Sequence, residues 1–282
     1  MTILTKSKQD IKEILKDQQE KVALVPTMGS LHAGHISLIK TARSECKTVV
    51  VSVFVNPLQF GPNEDFEKYP RELESDFKIC EDNSVDIVFA PSVEEIYPSI
   101  KTANQETIIP PQELTSILCG KTRKDHFNGV ATVVKQLFDI VSPGFAYFGE
   151  KDLQQLCVIR WLVKAFNINT VIKACPTIRE PSGLAYSSRN KYLNDEQKSI
   201  ASNLYKSLKL VKRNIRSGIF TVNKAILESL VFLSQFPEIK VEYFEARDKE
   251  NLTLLEKSKT SSFYCLIAAK VSNVRLIDNI EI

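Results

Sequence analysis

The sequence predicts an α/β protein: a Rossmann-like, doubly wound parallel sheet followed by a smaller C-terminal α+β domain. Three observations predict it. Apolar, β-branched runs alternate with helical stretches through roughly the first 180 residues, as in repeated βαβ units. The runs are apolar at consecutive positions, which suits strands covered by helices on both faces. Near Pro181-Ser182-Gly183 the order changes to helices and then strands, the pattern of an α+β domain.

Each element has its own reason. Ile11, Ile14 and Leu15 form one helical face among charges in the opening segment, Met1 to Lys21. Val22-Ala23-Leu24-Val25 reads as a buried parallel strand stopping at Pro26, and a helix over about 34–46 carries Ile36, Leu38, Ile39 and Ala42. The β-branched run Val49 to Val55 stops at Asn56-Pro57. A charged helical stretch over about 64–82 leads to a strand, Val85 to Ala90, that stops at Pro91. Gly129 to Val141 is helical, with apolar residues at 130, 133, 134, 137 and 141. A strand from Phe145 to Phe148, a helix from Leu153 to Phe166 and a strand from Thr170 to Cys175 follow.

In the second part Asn194 or Asp195 caps one long helix reaching about Arg216 and ended by Gly218. A helix from Val222 to Phe236 precedes strands at Lys240 to Ala246, Phe263 to Val271 and Val274 to Ile277. The boundary falls between residues 177 and 178, with 176–190 as a connection carrying its own polar cluster.

Composition narrows the class. A chain of 282 residues is long enough for two domains. Thirty-seven basic against 34 acidic residues leave a net charge of +3, too small to imply a nucleic-acid or membrane surface. The six cysteines form no C-x-x-C pair and sit mostly in apolar contexts, so they read as small buried hydrophobes in a reducing compartment. No apolar stretch approaches the ~20 residues that span a bilayer. Met1 to Lys21 has no signal-peptide core, so a cytoplasmic protein is expected.

The chemistry concentrates in Pro26-Thr27-Met28-Gly29-Ser30-Leu31-His32-Ala33-Gly34-His35. Two histidines stand at a strand-to-helix turn, where open α/β sheets bind ligands. Glycines allow close backbone approach, and a helix N-terminus brings free N–H groups and a positive dipole end that favour phosphate. The implied chemistry is attack on a nucleotide phosphate, with imidazoles stabilising the developing charge. Zinc would need more ligands, and only His126 remains, with no His-Glu-x-x-His. Gly120-Lys121-Thr122 ends like a phosphate loop, but Thr115 stands where its first glycine should be.

Three further turns carry polar candidates. In Phe148-Gly149-Glu150-Lys151-Asp152, Lys151 can hold phosphates and Asp152 a ribose hydroxyl or a cation. Tyr186-Ser187-Ser188-Arg189-Asn190 offers hydroxyls and a guanidinium to a triphosphate. Gln59, in Asn56-Pro57-Leu58-Gln59-Phe60, offers an amide to a small polar substrate. Each residue is also at home in an exposed turn; the strand-end position favours a site at Lys151, Asp152 and Gln59, whereas Tyr186 to Asn190 lies in the interdomain connection and could simply feed the next helix.

In this order the motifs resemble the pantothenate synthetase (pantoate–β-alanine ligase) family of the HIGH-type nucleotidyltransferase superfamily. The resemblance spans nearly the whole chain. It adds Tyr69-Pro70-Arg71, Phe89-Ala90-Pro91-Ser92, His126-Phe127-Asn128-Gly129-Val130 and Arg275-Leu276-Ile277-Asp278-Asn279 to the segments above. It implies a ligase that uses ATP and (R)-pantoate to make pantoyl adenylate and pyrophosphate, then transfers the pantoyl group to β-alanine with release of AMP.

The resemblance also implies roles. Met28, Gly29, Ser30, Leu31, His32, Ala33, Gly34 and His35 would embrace ATP, with His35 as general acid and His32 beside the phosphates. Gly149, Glu150, Lys151, Asp152, Ile178, Tyr186, Ser187, Ser188 and Arg189 would complete the ATP site, with Lys151, Ser187 and Arg189 on the polyphosphate. Gln59 and Gln155 would hold pantoate, Gln59 lying also near β-alanine, and Arg123 and His126 would approach the substrate. Mg2+ is implied on the phosphates with Asp76 as a contact, and a homodimer as the assembly; the second domain is expected as a lid, because the mixed anhydride must be kept from water.

The chain departs from the family at Lys124-Asp125, where relatives usually carry Pro-Gly, at Tyr186, where Met or Leu is common, and at Leu153, where Phe is common. The rival readings are another nucleotidyltransferase, a tRNA-charging enzyme or a nucleotide-binding regulator. A Lys-Met-Ser-Lys-Ser motif is absent, which disfavours the tRNA ligase, and measurable turnover would eliminate the regulator.

Overall fold

The computed structural model describes residues 1–16, 18, 22–62, 64–100, 106–255 and 262–282. In chain order the first part runs β1 (Ile3–Thr5), α1 (Lys8–Leu15), β2 (Val22–Thr27), α2 (Ala33–Glu45), β3 (Thr48–Val53), α3 (Leu73–Asp82) and β4 (Ile87–Phe89). Three short helices, α4 (Val93–Ile96), α5 (Gln112–Thr115) and α6 (Leu118–Thr122), precede α7 (His126–Val141), β5 (Phe145–Gly149), α8 (Leu153–Ala165) and β6 (Val171–Cys175). Then follow α9 (Asp195–Ala201), α10 (Asn203–Arg216), α11 (Val222–Leu233), β7 (Ile239–Asp248), β8 (Phe263–Val271) and β9 (Val274–Glu281).

The six strands β1 to β6 form one parallel sheet in the order β1-β4-β3-β2-β5-β6. The order reverses between β2 and β5, which makes their carboxyl ends the topological switch point of the sheet. Val22 to Val25 and Val49 to Val51 are fully buried, in keeping with an apolar residue at every position. Each of the Val and Leu side chains among them contributes about 1.5–3 kcal/mol when removed from water. β7, β8 and β9 form a separate antiparallel sheet, packed with α10 and α11 around Leu204, Leu208, Val211, Phe244 and Ile267.

Contacts divide the chain into two compact units, Met1–Glu150 with Val158–Pro176, and Lys151–Cys157 with Thr177–Ile282. Lys151–Cys157, at the start of α8, thus groups with the second unit. No helix among the described residues is long and apolar enough to cross a membrane.

Five local expectations are corrected. β2 does not stop at Pro26 but continues to Thr27 against β3. Val22 accepts from Gly144 on the β5 side and Thr27 from Phe54 on the β3 side. Position 26 therefore faces β5, where pairing has ended at Leu24, so the missing N–H of Pro26 costs no ladder bond. β1 was not anticipated: it is a three-residue edge strand, too short to show a pattern.

The helix expected over about 64–82 begins only at Leu73. Pro70 keeps Tyr69 from helical backbone, and Phe60 instead packs against Phe66 and Tyr69 at 5.3 and 5.8 Å. The single helix expected to reach Arg216 breaks at Ser202, where the Ser202 and Asn203 side chains donate to the Ser199 and Ile200 carbonyls at the end of α9. Asn194 does cap α9, in a reciprocal pair with Gln197. α7 begins at His126, a turn before the expected Gly129, after Asp125 in the left-handed region at φ 60°.

Candidate active site

The β2–α2 turn is held from within. Thr27 Oγ1 donates to the Ser52 carbonyl at 2.7 Å and accepts from the Gly29 amide at 3.1 Å. Gly29 and Ser30 are successive left-handed residues, at φ 79° and 51°. A Cβ on Gly29 would lie 2.8 Å from Asp76 Oδ2, so this position needs glycine for space as well as for φ.

Asp76, 1% exposed in the first turn of α3, accepts from the Ser30 and Leu31 amides at 2.9 and 2.7 Å. Both carboxylate oxygens thus serve the turn. Among the described residues no group of three or more His, Cys, Asp or Glu could hold a metal ion.

His32 is the N-cap of α2. Its Nδ1 accepts from the Gly34 amide at 3.2 Å, while His35 Nδ1 accepts from the His32 amide at 3.3 Å. The rings stack with centroids 4.1 Å apart. An Nδ1 that accepts leaves the ring proton of a neutral imidazole on Nε2, so both histidines are Nε2–H tautomers. The amides of Gly29, Ser30, Leu31, His32 and Gly34 are engaged within the protein. The helix dipole at this turn favours an anion.

After β3, Asn56 organises the neighbouring segment. Its Oδ1 accepts from Tyr97 Oη at 2.9 Å and from the Leu58 amide, and its Nδ2 donates to the Gly129 carbonyl and to Gln59 Oε1. Burial pushes the Tyr97 phenol well above its ordinary value, keeping it a neutral donor. Gln59 Nε2 meets Met28 Sδ at 2.7 Å, which brings two of the candidate residues together. α7 crosses so closely here that a Cβ on Gly129 would lie 2.2 Å from the Leu58 carbonyl oxygen.

His126, 9% exposed at the start of α7, donates from Nδ1 to the Gln59 carbonyl at 2.8 Å and accepts from Arg123 Nη1 at Nε2, 2.9 Å away. Arg123 Nη2 also lies 3.4 Å from that carbonyl, and its guanidinium forms a two-pronged pair with Glu64. Burial opposes ionisation of Glu64, but Arg123 and the Gly61 backbone outweigh it and hold the carboxyl below the usual range. Gln59, Arg123 and His126 are thus one network, with Glu64 as a member the sequence did not reveal.

Gly149 ends β5, Glu150, Lys151 and Asp152 form the 3-10 turn after it, and Gln155 lies in the first turn of α8. In the second unit the Lys151 carbonyl accepts from Asn279 Nδ2 at 2.9 Å. Ile178 and Tyr186 pair at the open end of a hairpin, the Tyr186 amide donating to the Ile178 carbonyl. Ser187 then caps a 3-10 turn containing Ser188 and Arg189, its Oγ accepting from the Arg189 amide. Asn190 fixes this turn to the hairpin through Glu180 and the Ala185 carbonyl. The six cysteines are buried free thiols; burial first, and then Asp76, push Cys80 up to about 12, which leaves it inert.

A profile of the family described as pantoate–β-alanine ligase matches residues 3–281. The chain belongs to that family. It is 46% identical over 267 residues to a pantothenate synthetase of Thermotoga petrophila, covering 95% of this chain and 94% of the relative. It is 48% identical over 271 residues to one of Coprothermobacter proteolyticus, covering 95% and 93%. A pantothenate synthetase structure from Thermus thermophilus superposes with a TM-score of 0.94 at 39% identity, covering 99% of each chain. A Francisella tularensis pantoate–β-alanine ligase, complexed with beta-gamma ATP and beta-alanine, gives 0.82 at 38% identity over 99% and 97% of the two chains. The chain is accordingly a ligase, with the Rossmann-like sheet and small antiparallel sheet of that family.

Proposed function

We propose that this ligase condenses (R)-pantoate with β-alanine to pantothenate, using ATP through a pantoyl-adenylate intermediate. The observation that carries the reading is the pair of Nδ1-capped histidines at the switch-point turn, whose protons are left on Nε2. In the first step the pantoate carboxylate, ionised at neutral pH, attacks the α-phosphorus of ATP while the bond to the bridging oxygen breaks and pyrophosphate leaves. No base is needed. The requirement is positioning and neutralisation of charge on the leaving group. His35 acts as general acid, His32 donates beside the phosphates, and Lys151, Ser187 and Arg189 bind the polyphosphate.

Met28 to Gly34, Gly149, Glu150, Asp152, Ile178, Tyr186 and Ser188 are assigned to the rest of the nucleotide. Gln59 and Gln155 are assigned to pantoate, with Gln59 also near β-alanine. Arg123 and His126 hold the Gln59 backbone and so act on substrate through its placement. In the second step the uncharged amine of β-alanine attacks the acyl carbon, the bond from that carbon to the phosphate oxygen breaks so that AMP leaves, and the nitrogen gives up one proton to solvent. Magnesium is assigned to the phosphates of ATP, with Asp76 as the contact from this chain, and would supply charge neutralisation there. A homodimer is part of the same proposal.

The test measures pyrophosphate and AMP release from ATP, magnesium and (R)-pantoate, with and without β-alanine. Sustained turnover to pantothenate only with both substrates supports the reading. A folded, ATP-binding protein that is silent with both removes the substrate assignment.

A further inference from the structure

Lys151 and the hairpin leading to Tyr186–Arg189 converge on two adjacent residues of β9. Asn279, 4% exposed, donates from Nδ2 to the Lys151 carbonyl at 2.9 Å. Its own amide donates to Asp278 Oδ1 at 2.8 Å. Asp278, also 4% exposed, receives both prongs of the Arg179 guanidinium, at 2.6 and 2.8 Å. Arg179 donates further to the Gly183 and Asn279 carbonyls and stacks 3.6 Å from the Tyr205 ring centroid. It pairs with Ala185 across the hairpin, one residue before Tyr186. The hub is itself rigid, because Asp278 and Asn279 lie in register with Ile267 and Leu266 of the central strand β8.

We infer that Asp278 and Asn279 are positioning residues for the two phosphate-binding segments of the second unit. Asn279 sets the Lys151 peptide, and Asp278, through Arg179, sets the hairpin that presents Tyr186–Arg189. This rests on the proposed assignment of Lys151, Ser187 and Arg189 to the polyphosphate. The physical reason is leverage. A lysine side chain is long and flexible, so where its ammonium can dwell depends on where its backbone is anchored. A displacement of about 1 Å at a charge-stabilising group costs up to roughly a hundredfold in rate. Burial pushes the Asp278 carboxyl above its ordinary value, and Arg179, the Asn279 amide and Lys151 offset only part of that rise. A network built only for stability would have no need to end on the backbone of Lys151.

The test titrates the full-length protein with a non-hydrolysable ATP analogue by calorimetry, which separates affinity from the fraction of folded sites. Asn279→Asp keeps the shape and removes the donor; Asn279→Ser is the second variant should the first fail to fold. Affinity for the analogue should fall about tenfold at unchanged stoichiometry, with the KM values for pantoate and β-alanine within about twofold of wild type. In a Lys151→Ala background the Asn279 change should have no further effect on analogue affinity, because it acts through Lys151. Unchanged affinity with reduced stoichiometry, or additive losses in the double variant, would overturn the inference. Lys151→Ala with wild-type affinity and turnover would overturn the assignment of Lys151 itself, and the inference with it. A wild-type protein that binds the analogue but does not turn over would refute only the substrate reading.

Discussion

Glu64 grips Arg123 with both carboxylate oxygens, each 2.7 Å from a guanidinium nitrogen, and so aims the remaining prong at His126. Glu64→Ala should therefore uncouple three residues at once. The pair is largely shielded, with side-chain exposures of 15% and 24%, so the loss should be about 1–3 kcal/mol, above that of an exposed ion pair. Chemical denaturation measures it. A loss within a few tenths of a kcal/mol would mean that Arg123 is held without Glu64.

The same carboxylate gives a pH signature. Its folded-state value lies below the ordinary 4.5, so its contribution is present above that value and is lost as pH falls through the folded one. Unfolding midpoints recorded from pH 7 down to pH 3 should fall less steeply for Glu64→Gln than for the wild type. Parallel curves would exclude this carboxylate as a source of acid sensitivity.

Asp76→Asn should damage ATP use more than pantoate binding. An amide in place of the carboxylate sets an NH2 group against the Ser30 or Leu31 amide, exchanging one charge-assisted bond for a repulsive contact. A rise in the KM for ATP or a fall in kcat of about tenfold or more is expected, as from about 1.5–3 kcal/mol of misplaced turn. An effect confined to pantoate KM would reassign Asp76.

Asp125 stands in left-handed backbone at φ 60°, and its Oδ1 accepts from Asn128 Nδ2 at 3.1 Å. Asp125→Gly should stabilise the protein by up to about 1 kcal/mol, as relief of strain outweighs the entropy of glycine and the lost bond. Asp125→Val should destabilise it. Thermal melts of both, compared with the wild type, decide whether the backbone or the side chain dominates at this cap.

His35→Ala and Lys151→Ala should slow adenylate formation by about a hundredfold or more, as expected for lost charge stabilisation. Gln155→Ala should mainly raise the pantoate KM. Pyrophosphate release in a single turnover isolates the first step. Near-normal release from both of the first two variants would exclude the assigned roles.

What the sequence disclosed was local. The β2–α2 turn was legible because an apolar run, a proline, two glycines and two histidines all fall within fourteen residues, Val22 to His35. What remained hidden were partners far along the chain. Asp76 lies 46 residues from Ser30, Glu64 lies 59 from Arg123, and Asn279 lies 128 from Lys151. Periodicity reports which face of an element is buried, not which distant carboxylate or amide meets it. The motif ending in Asp278-Asn279 was visible, but its work was not, since that depends on the register of β9 against β8. The helix break at Ser202 was missed because local side-chain bonds redirect the backbone there, and the late start at Leu73 because Pro70 bars helical backbone before it.

The reciprocal capping of His32 and His35 ties folding and proton inventory to the same two nitrogens. Removing His32 frays the start of α2 and deletes a donor in one stroke, so an alanine at this position confounds architecture with chemistry. Asparagine restores a good helix cap but carries no Nε2–H. Any deficit that survives in His32→Asn belongs to the imidazole, and any activity it regains over His32→Ala belongs to the helix.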